Sequence, residues 1–241
     1  MLGVVSGGPV SGEWLAAFYP LCTMGKVKSS ASRGHLDGWG MAGYPNGQAR
    51  YYGRSAHDAS QDRAAWEDAV DEIGNHPSRI LLAHFRKASV GNRAIENTHP
   101  FLKNGWSFCH NGTIFEEKKL ALEKYSPAGH TDSERLFLFL LEAVEQHKDP
   151  RTALEHAIQH VREKFEYNSL TFLLTNGVSL YAYRGYSDSR LEKHETMEER
   201  DRYYTLWSAD VSGTRLVCSQ PILTERIPTW KPFSNGELLT I

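Results

Sequence analysis

Apolar residues along the chain fall into two patterns, one with helical spacing and one in short unbroken runs. Trp66, Ala69, Val70 and Ile73 share a stripe, which predicts a helix over Ser60 to Ile73, stopped by Gly74 and Asn75-His76-Pro77. Thr131-x-x-Glu134 has the form of a capping box and predicts a helix from Asp132 to about His147, with Leu136, Phe137, Leu140, Leu141 and Val144 inward. Arg151 to Phe165 repeats the helical spacing through Leu154, Ala157, Ile158, Val161 and Phe165. Ile80 to Phe85 is instead a short apolar run between turn residues, which favours a buried strand. Trp106 to Cys109 predicts another strand, ended by Asn111-Gly112, residues that readily accept positive φ. Leu170 to Thr175 and Val178 to Tyr183 flank Asn176-Gly177 as a hairpin, and Tyr204 to Ser208, Arg215 to Ser219 and Glu237 to Ile241 are further strand candidates. Strand blocks around a helix pair, without β-α-β alternation, predict an α+β fold with stacked antiparallel sheets.

With 241 residues and no internal repeat or low-complexity linker, the expectation is a single domain over 1–241. Hydrophobic residues make up 40% of the chain, and no apolar run approaches the roughly 18 residues of a membrane span, so no membrane partner is expected. A net charge of -2 offers no basic face for nucleic acid. The start, Met1-Leu2-Gly3-Val4-Val5-Ser6, has no basic leader, and Cys22, Cys109 and Cys218 lie far apart, which together suggest a reducing cytoplasm. Arg190 to Arg202 mixes charges of both signs and reads as a solvated surface segment without a function. Neither a His/Cys metal spacing nor a glycine-rich phosphate loop is present, so no metal and no cofactor are expected.

Polar residues next to strand ends and helix starts change the picture. Singly, each has a plain structural explanation: Arg86 as a surface cation, Asp132 as a helix cap, Asn111-Gly112 as a turn, and His84, His99 and His110 as hydrogen-bonded histidines. Together they supply what an amidase acting on a glutamine-like group needs. A guanidinium grips a carboxylate and a carboxylate receives an ammonium, so Arg86 and Asp132 can clamp an amino-acid zwitterion. The Asn111 side-chain amide beside the Gly112 backbone N–H offers two donors for one oxygen, an oxyanion hole in which losing one donor costs about 3 kcal/mol.

Taken in order, Leu2 to Ser6, His35 to Gly40, Ala83-His84-Phe85-Arg86, Glu96 to Phe101, His110-Asn111-Gly112, Thr131 to Glu134 and Cys218 to Pro221 resemble the class II glutamine amidotransferases, specifically their small stand-alone members. The resemblance implies an Ntn-hydrolase (N-terminal-nucleophile) αββα four-layer sandwich of two antiparallel sheets between helical layers. It also implies Arg86 on the substrate α-carboxylate, Asp132 on its α-amino group, and Asn111 with Gly112 on the oxyanion. Ser89 is then a lesser contact, while Asn97, His99 and Trp39 shape the pocket. In this family the nucleophile is an N-terminal cysteine whose own α-amine is the base, an amine of pKa about 7.7–8.0. Members commonly begin Met-Cys-Arg, then an apolar residue, then Leu-Gly, so Met1 aligns with the fourth position and the expected cysteine is missing before Met1. Cys109-His110 is no substitute, because neighbours on a strand point to opposite faces.

The implied activity is hydrolysis of a γ-glutamyl amide. Glutamine is one substrate, with ammonia passing to an accepting partner protein; a γ-glutamyl peptide or conjugate is the other. Two rival expectations are a catalytically inactive module that binds glutamine or a γ-glutamyl ligand, and a structural subunit that uses the fold as a docking surface.

Overall fold

Two of the unbroken apolar runs become strands inside two different sheets, buried along their whole lengths on both faces. The computed structural model describes residues 1–27, 33–193, 195–227 and 229–241. Along it run β1 (Leu2–Ser6), α1 (Glu13–Phe18), α2 (Leu21–Met24), β2 (Trp39–Gly43), β3 (Arg50–Ser55), α3 (Arg63–Asn75), β4 (Ile80–Phe85), β5 (Phe101–Lys103), β6 (Trp106–Ile114), α4 (Asp132–Gln146), α5 (Pro150–Lys164), β7 (Tyr167–Thr175), β8 (Leu180–Tyr183), α6 (Met197–Tyr203), β9 (Trp207–Val211), β10 (Thr214–Cys218), β11 (Lys231–Pro232) and β12 (Leu238–Thr240). One sheet has the order β11-β9-β10-β1-β4-β2-β3 and the other β12-β8-β7-β6-β5, with antiparallel pairing throughout.

Three apolar layers give the expected helix-sheet-sheet-helix order. Leu2, Val4, Leu81, Ala83 and Phe85 pack against Trp14, Leu15 and Phe18 of α1 and Trp66, Ala69 and Ile73 of α3. Phe108, Phe172 and Leu174 pack against Leu136, Phe137, Leu140 and Leu141 of α4 and Leu154, Ile158 and Val161 of α5. Between the sheets lie Met1, Leu82, Cys109, Leu173, Leu180, Ala182 and Val217. Successive residues thus alternate between the helical layer and the gap between sheets, as strand geometry requires.

Several expectations need correction. Asn111-Gly112 is not a turn that ends a strand: β6 runs through it, with Asn111 opposite Thr171 and Gly112 opposite Leu170 on β7. The tertiary pairing overrides the local turn preference. α3 begins at Arg63 rather than Ser60, because the Asp58 side chain accepts from Ser60 N and holds the chain in a turn. The capping box at α4 is half made. Thr131 accepts from Glu134 N, but the Glu134 carboxylate accepts from Ala128 N and Gly129 N and so ties down the preceding loop. In the β7–β8 hairpin, Asn176 Oδ1 accepts from Val178 N and Ser179 N, which keeps both residues in the turn. The strand placed at Tyr204 to Ser208 begins at Trp207.

The mixed-charge run is not uniformly solvated either. Arg200 on α6 is fully buried. Its Nη1 donates to the carbonyls of Ser187 and Ser189, both at 2.7 Å, and its Nε and Nη2 reach the Glu195 carboxylate at 3.0 and 2.7 Å. His194, within the same run, lies outside the described residues. Arg200→Ala removes a buried cation that satisfies three carbonyls, those of Ser187, Ser189 and Arg190, and a nearly buried carboxylate, so it should lower the unfolding free energy by about 3–5 kcal/mol in urea denaturation. A loss under about 1 kcal/mol would show that the segment is held by other contacts.

Candidate active site

Strand alternation aims the site. On β4, Leu82 faces the gap between the sheets, so His84 faces it too; on β6, Cys109 faces the gap, so Asn111 does as well. The two meet from opposite sheets at one end of the gap, with His84 Nε2 at 3.2 Å from Asn111 Oδ1. β1 opens at the same end. Leu2 lies opposite Ala83 on one side and Cys218 on the other, which sets Met1 beside His84 and Ser219. The Met1 ammonium donates to Ser219 Oγ at 2.9 Å, and burial pulls its pKa below the usual α-amino range.

Arg86 follows directly from β4. Its Nη1 donates to Asn92 O at 3.0 Å, and its Nη2 to Val90 O at 2.9 Å and Gly91 O at 3.4 Å, so the 90–92 segment curls around the guanidinium. Asp37 anchors the same loop, accepting from Ala88 N at 2.9 Å and Arg93 Nε at 2.8 Å. Burial alone would raise the Asp37 pKa, but the Ala88 amide and the Arg93 guanidinium hold it below the ordinary carboxylate value. Asn97 ties this loop to the start of α4. Its Nδ2 donates to Asn92 Oδ1 and its Oδ1 accepts from His130 N, both at 2.8 Å.

Asp132 opens α4 under the end of β6. Its side chain accepts from Ile114 N at 2.9 Å, and burial raises its pKa to about 7, against the opposing pull of the Ile114 and Ser133 amides. His110 faces the helical side of β6. Its Nε2 lies 3.1 Å from the Ser169 carbonyl, which can only accept, so Nε2 carries the proton and Nδ1 accepts from Ser133 Oγ at 2.9 Å. Burial lowers the pKa of this neutral ring to about 4. At Gly112 a Cβ would lie 2.0 Å from Ser169 O, so only glycine lets the two strands approach here. Leu170, opposite Gly112, spends its N–H on Gly185 O, which turns the Gly112 N–H away from β7.

Arg86, Ser89, His99, Asn111, Gly112 and Asp132 all line one cavity of about 780 Å³, together with Met1 and His84. Ser89 Oγ lies 3.2 Å from Thr113 Oγ1. Trp39 and Asn97, expected to shape the pocket, are not among its walls. The Trp39 ring points to the helical side, where Nε1 donates to Asp62 and the indole packs on Trp66. Asn97 acts one layer out, through the loop it braces. The sequence reading left out Asn168, which accepts from Thr113 N at 2.7 Å, and the His84–Asn111 contact; the β6–β7 pairing within one sheet reveals the first, and the facing of the two sheets the second. Cys22, Cys109 and Cys218 are buried free thiols, and burial raises the pKa of each, which suits none of them for nucleophilic attack. Among the described residues no group of His, Cys, Asp and Glu is arranged to hold a metal, and no helix is long and apolar enough to cross a membrane.

The family model for class-II glutamine amidotransferases matches residues 21–240. An uncharacterized protein of Methanocaldococcus jannaschii is 30% identical over 226 residues, which cover 86% of this chain and 61% of that protein. The chain therefore spans about three fifths of that relative. A glutamine aminotransferase class-II domain protein from Silicibacter pomeroyi superimposes with a TM-score of 0.61 at 23% identity, over 100% of this chain and 94% of that one. Glutamine phosphoribosylpyrophosphate amidotransferase from B. subtilis superimposes with a TM-score of 0.57 at 10% identity, over 90% of this chain and 41% of that one. Structural likeness at these identities speaks to the fold, and the two antiparallel sheets between helices are the Ntn-hydrolase sandwich. With the family model matched over most of its length, the chain belongs to the class-II glutamine amidotransferases.

Proposed function

We propose that the site hydrolyses the γ-amide of glutamine or of a γ-glutamyl compound, through a cysteine thiol that precedes Met1. The observation that carries this reading is the meeting of Arg86, Asp132, Asn111 and Gly112 in one cavity with the start of β1. Continuing the β1–β4 register by two residues beyond Met1 puts the family's cysteine position opposite Arg86, about 7 Å further along the strand. Arg86 receives the substrate α-carboxylate, with two of its five N–H donors not committed to the 90–92 carbonyls. Asp132 receives the α-ammonium. The cysteine's α-amine takes the thiol proton, the thiolate attacks the amide carbon, and the oxyanion is held by the Asn111 side chain and the Gly112 N–H. The C–N bond then breaks with return of that proton, ammonia or an amine departs, and water cleaves the thioester to release glutamate.

The reading covers both free glutamine and γ-glutamyl peptides or conjugates as substrates. Ammonia released from glutamine is passed to an accepting partner protein in this reading.

The decisive experiment is a glutaminase assay on the chain with Met-Cys-Arg placed before Met1 and the initiator methionine removed, so that the cysteine α-amine is free, and on the chain without that addition. Turnover only with the added residues is expected, and Asn111→Ala in the active form should lower kcat about 10²–10³-fold. Ligand binding without turnover in both forms would favour a binding module instead.

Asp132 makes a separate prediction. Its folded-state pKa of about 7 lies above the ordinary carboxylate value of about 4. The stability this raised pKa contributes is therefore complete below pH about 4 and is lost as pH rises through 7. Asp132→Asn, which keeps an acceptor for Ile114 N, should raise the melting temperature at pH 8 and change it little at pH 4, while abolishing glutamine binding. In the unsubstituted active form, KM for glutamine should rise as pH falls below about 7, because protonated Asp132 no longer attracts an ammonium. A KM that stays flat between pH 8 and 6 would remove Asp132 from the ammonium site.

A further inference from the structure

His84 is a buried imidazole in contact with Asn111, yet the chemistry above gives it no step. Its Nε2 is 3.2 Å from Asn111 Oδ1, while its Nδ1 is buried without a partner among the described residues. Its ring packs 4.4 Å from that of His99, whose two ring nitrogens are also buried without partners. Burial pushes both histidines well below the usual imidazole range, aided at His84 by the His99 ring and at His99 by His110 and Arg86, so both are neutral near pH 7. A neutral His84 has two tautomers, and each dictates a different Asn111.

With the proton on Nε2, His84 donates to Asn111 Oδ1. The Asn111 NH₂ group is then the free end of the amide, on the side away from His84. With the proton on Nδ1, Nε2 must accept from the Asn111 NH₂, and a carbonyl oxygen replaces the donor on that side. The second arrangement also strands a buried Nδ1–H, and orphaned buried N–H groups are rarer and costlier than lone pairs left without a donor. The first strands only a lone pair on Nδ1.

We propose that His84, as its Nε2–H tautomer, is the positioning residue that turns the Asn111 amide so that its N–H faces the cavity. The catalytic consequence rests on the reading of Asn111 as an oxyanion donor; the tautomer and the amide orientation do not. A residue that acts in this way sets kcat rather than substrate affinity, since its effect is felt only where negative charge develops.

Two measurements test it. In ¹⁵N-labelled protein, the His84 ring nitrogens read by long-range ¹H–¹⁵N correlation should show a protonated Nε2 and an unprotonated Nδ1 near pH 7, whatever the state of the N-terminus. A protonated Nδ1 overturns the proposal even if the protein has no activity. In the form bearing Met-Cys-Arg, His84→Leu should lower kcat about 10–100-fold with KM within about twofold, and His84→Gln, whose amide can donate from the same place, should recover most of the loss. The double variant His84→Leu/Asn111→Ala should be no slower than Asn111→Ala alone, because the two residues act as one unit. Multiplicative effects, or full kcat in His84→Leu, would overturn the positioning role while leaving the hydrolase reading intact. An inactive Met-Cys-Arg form with the expected tautomer would do the reverse.

Discussion

Everything in this molecule depends on the gap between two antiparallel sheets, which is apolar along its length and polar at one end. Leu82, Cys109, Leu173, Leu180 and Val217 fill the apolar part and hold the sheets face to face. Because side chains alternate along a strand, the same pairing that buries Leu82 and Cys109 also turns His84 and Asn111 toward each other two positions further on. The site is therefore not added to the core; it is the continuation of the core's own register into residues that carry hydrogen-bonding groups. A slip of one residue in β4 or β6 would face His84 or Asn111 toward the helices and separate them.

Elements with long, clean periodicity were legible in the sequence. Ile80 to Phe85 is β4 residue for residue, and the stripes expected for α4 and α5 are buried except Phe165, which caps α5 and is half-buried. Legibility failed where tertiary pairing outweighed local preference. Asn111-Gly112 carries the chemistry of a turn, but the close approach of Ser169 O uses that glycine for a strand contact. β2, Trp39–Gly43, contains two glycines and no β-branched residue, so nothing in its composition announces a strand, yet it lies between β4 and β3 in the larger sheet.

The site was legible to the same degree and for the same reason. Arg86, Asp132 and Asn111 stand out because their residue types carry specific chemistry beside element boundaries, and the cavity gathers them. Trp39 carries a residue type that suits a pocket wall, but its parity on β2 sends it to the helical layer. His84 was visible as a polar residue in an apolar strand, but its contact is across sheets and 27 positions away in sequence, beyond what periodicity reports. The mixed-charge run ending at Arg202 shows the converse: composition predicts solvent, and one of its arginines is buried against carbonyls.

The polar end of the gap is costly to the fold. It buries a carboxyl at Asp132 and two imidazoles whose nitrogens have no partner among the described residues, each of which would be better solvated in the unfolded chain. Arg86 is held by carbonyl oxygens and Asp132 by a backbone amide, so among the described residues neither charge is neutralised by a directly bonded partner. A pair of opposite charges kept apart in this way is stabilised most by a ligand that carries both signs at a matching separation. In the proposed reading an amino-acid zwitterion is such a ligand, and its binding would lift the Asp132 penalty at the same moment as it aligns the amide with Asn111. In that reading the local cost of the polar end and its selectivity for an amino-acid head group share one cause, the burial of charges without directly bonded counter-ions.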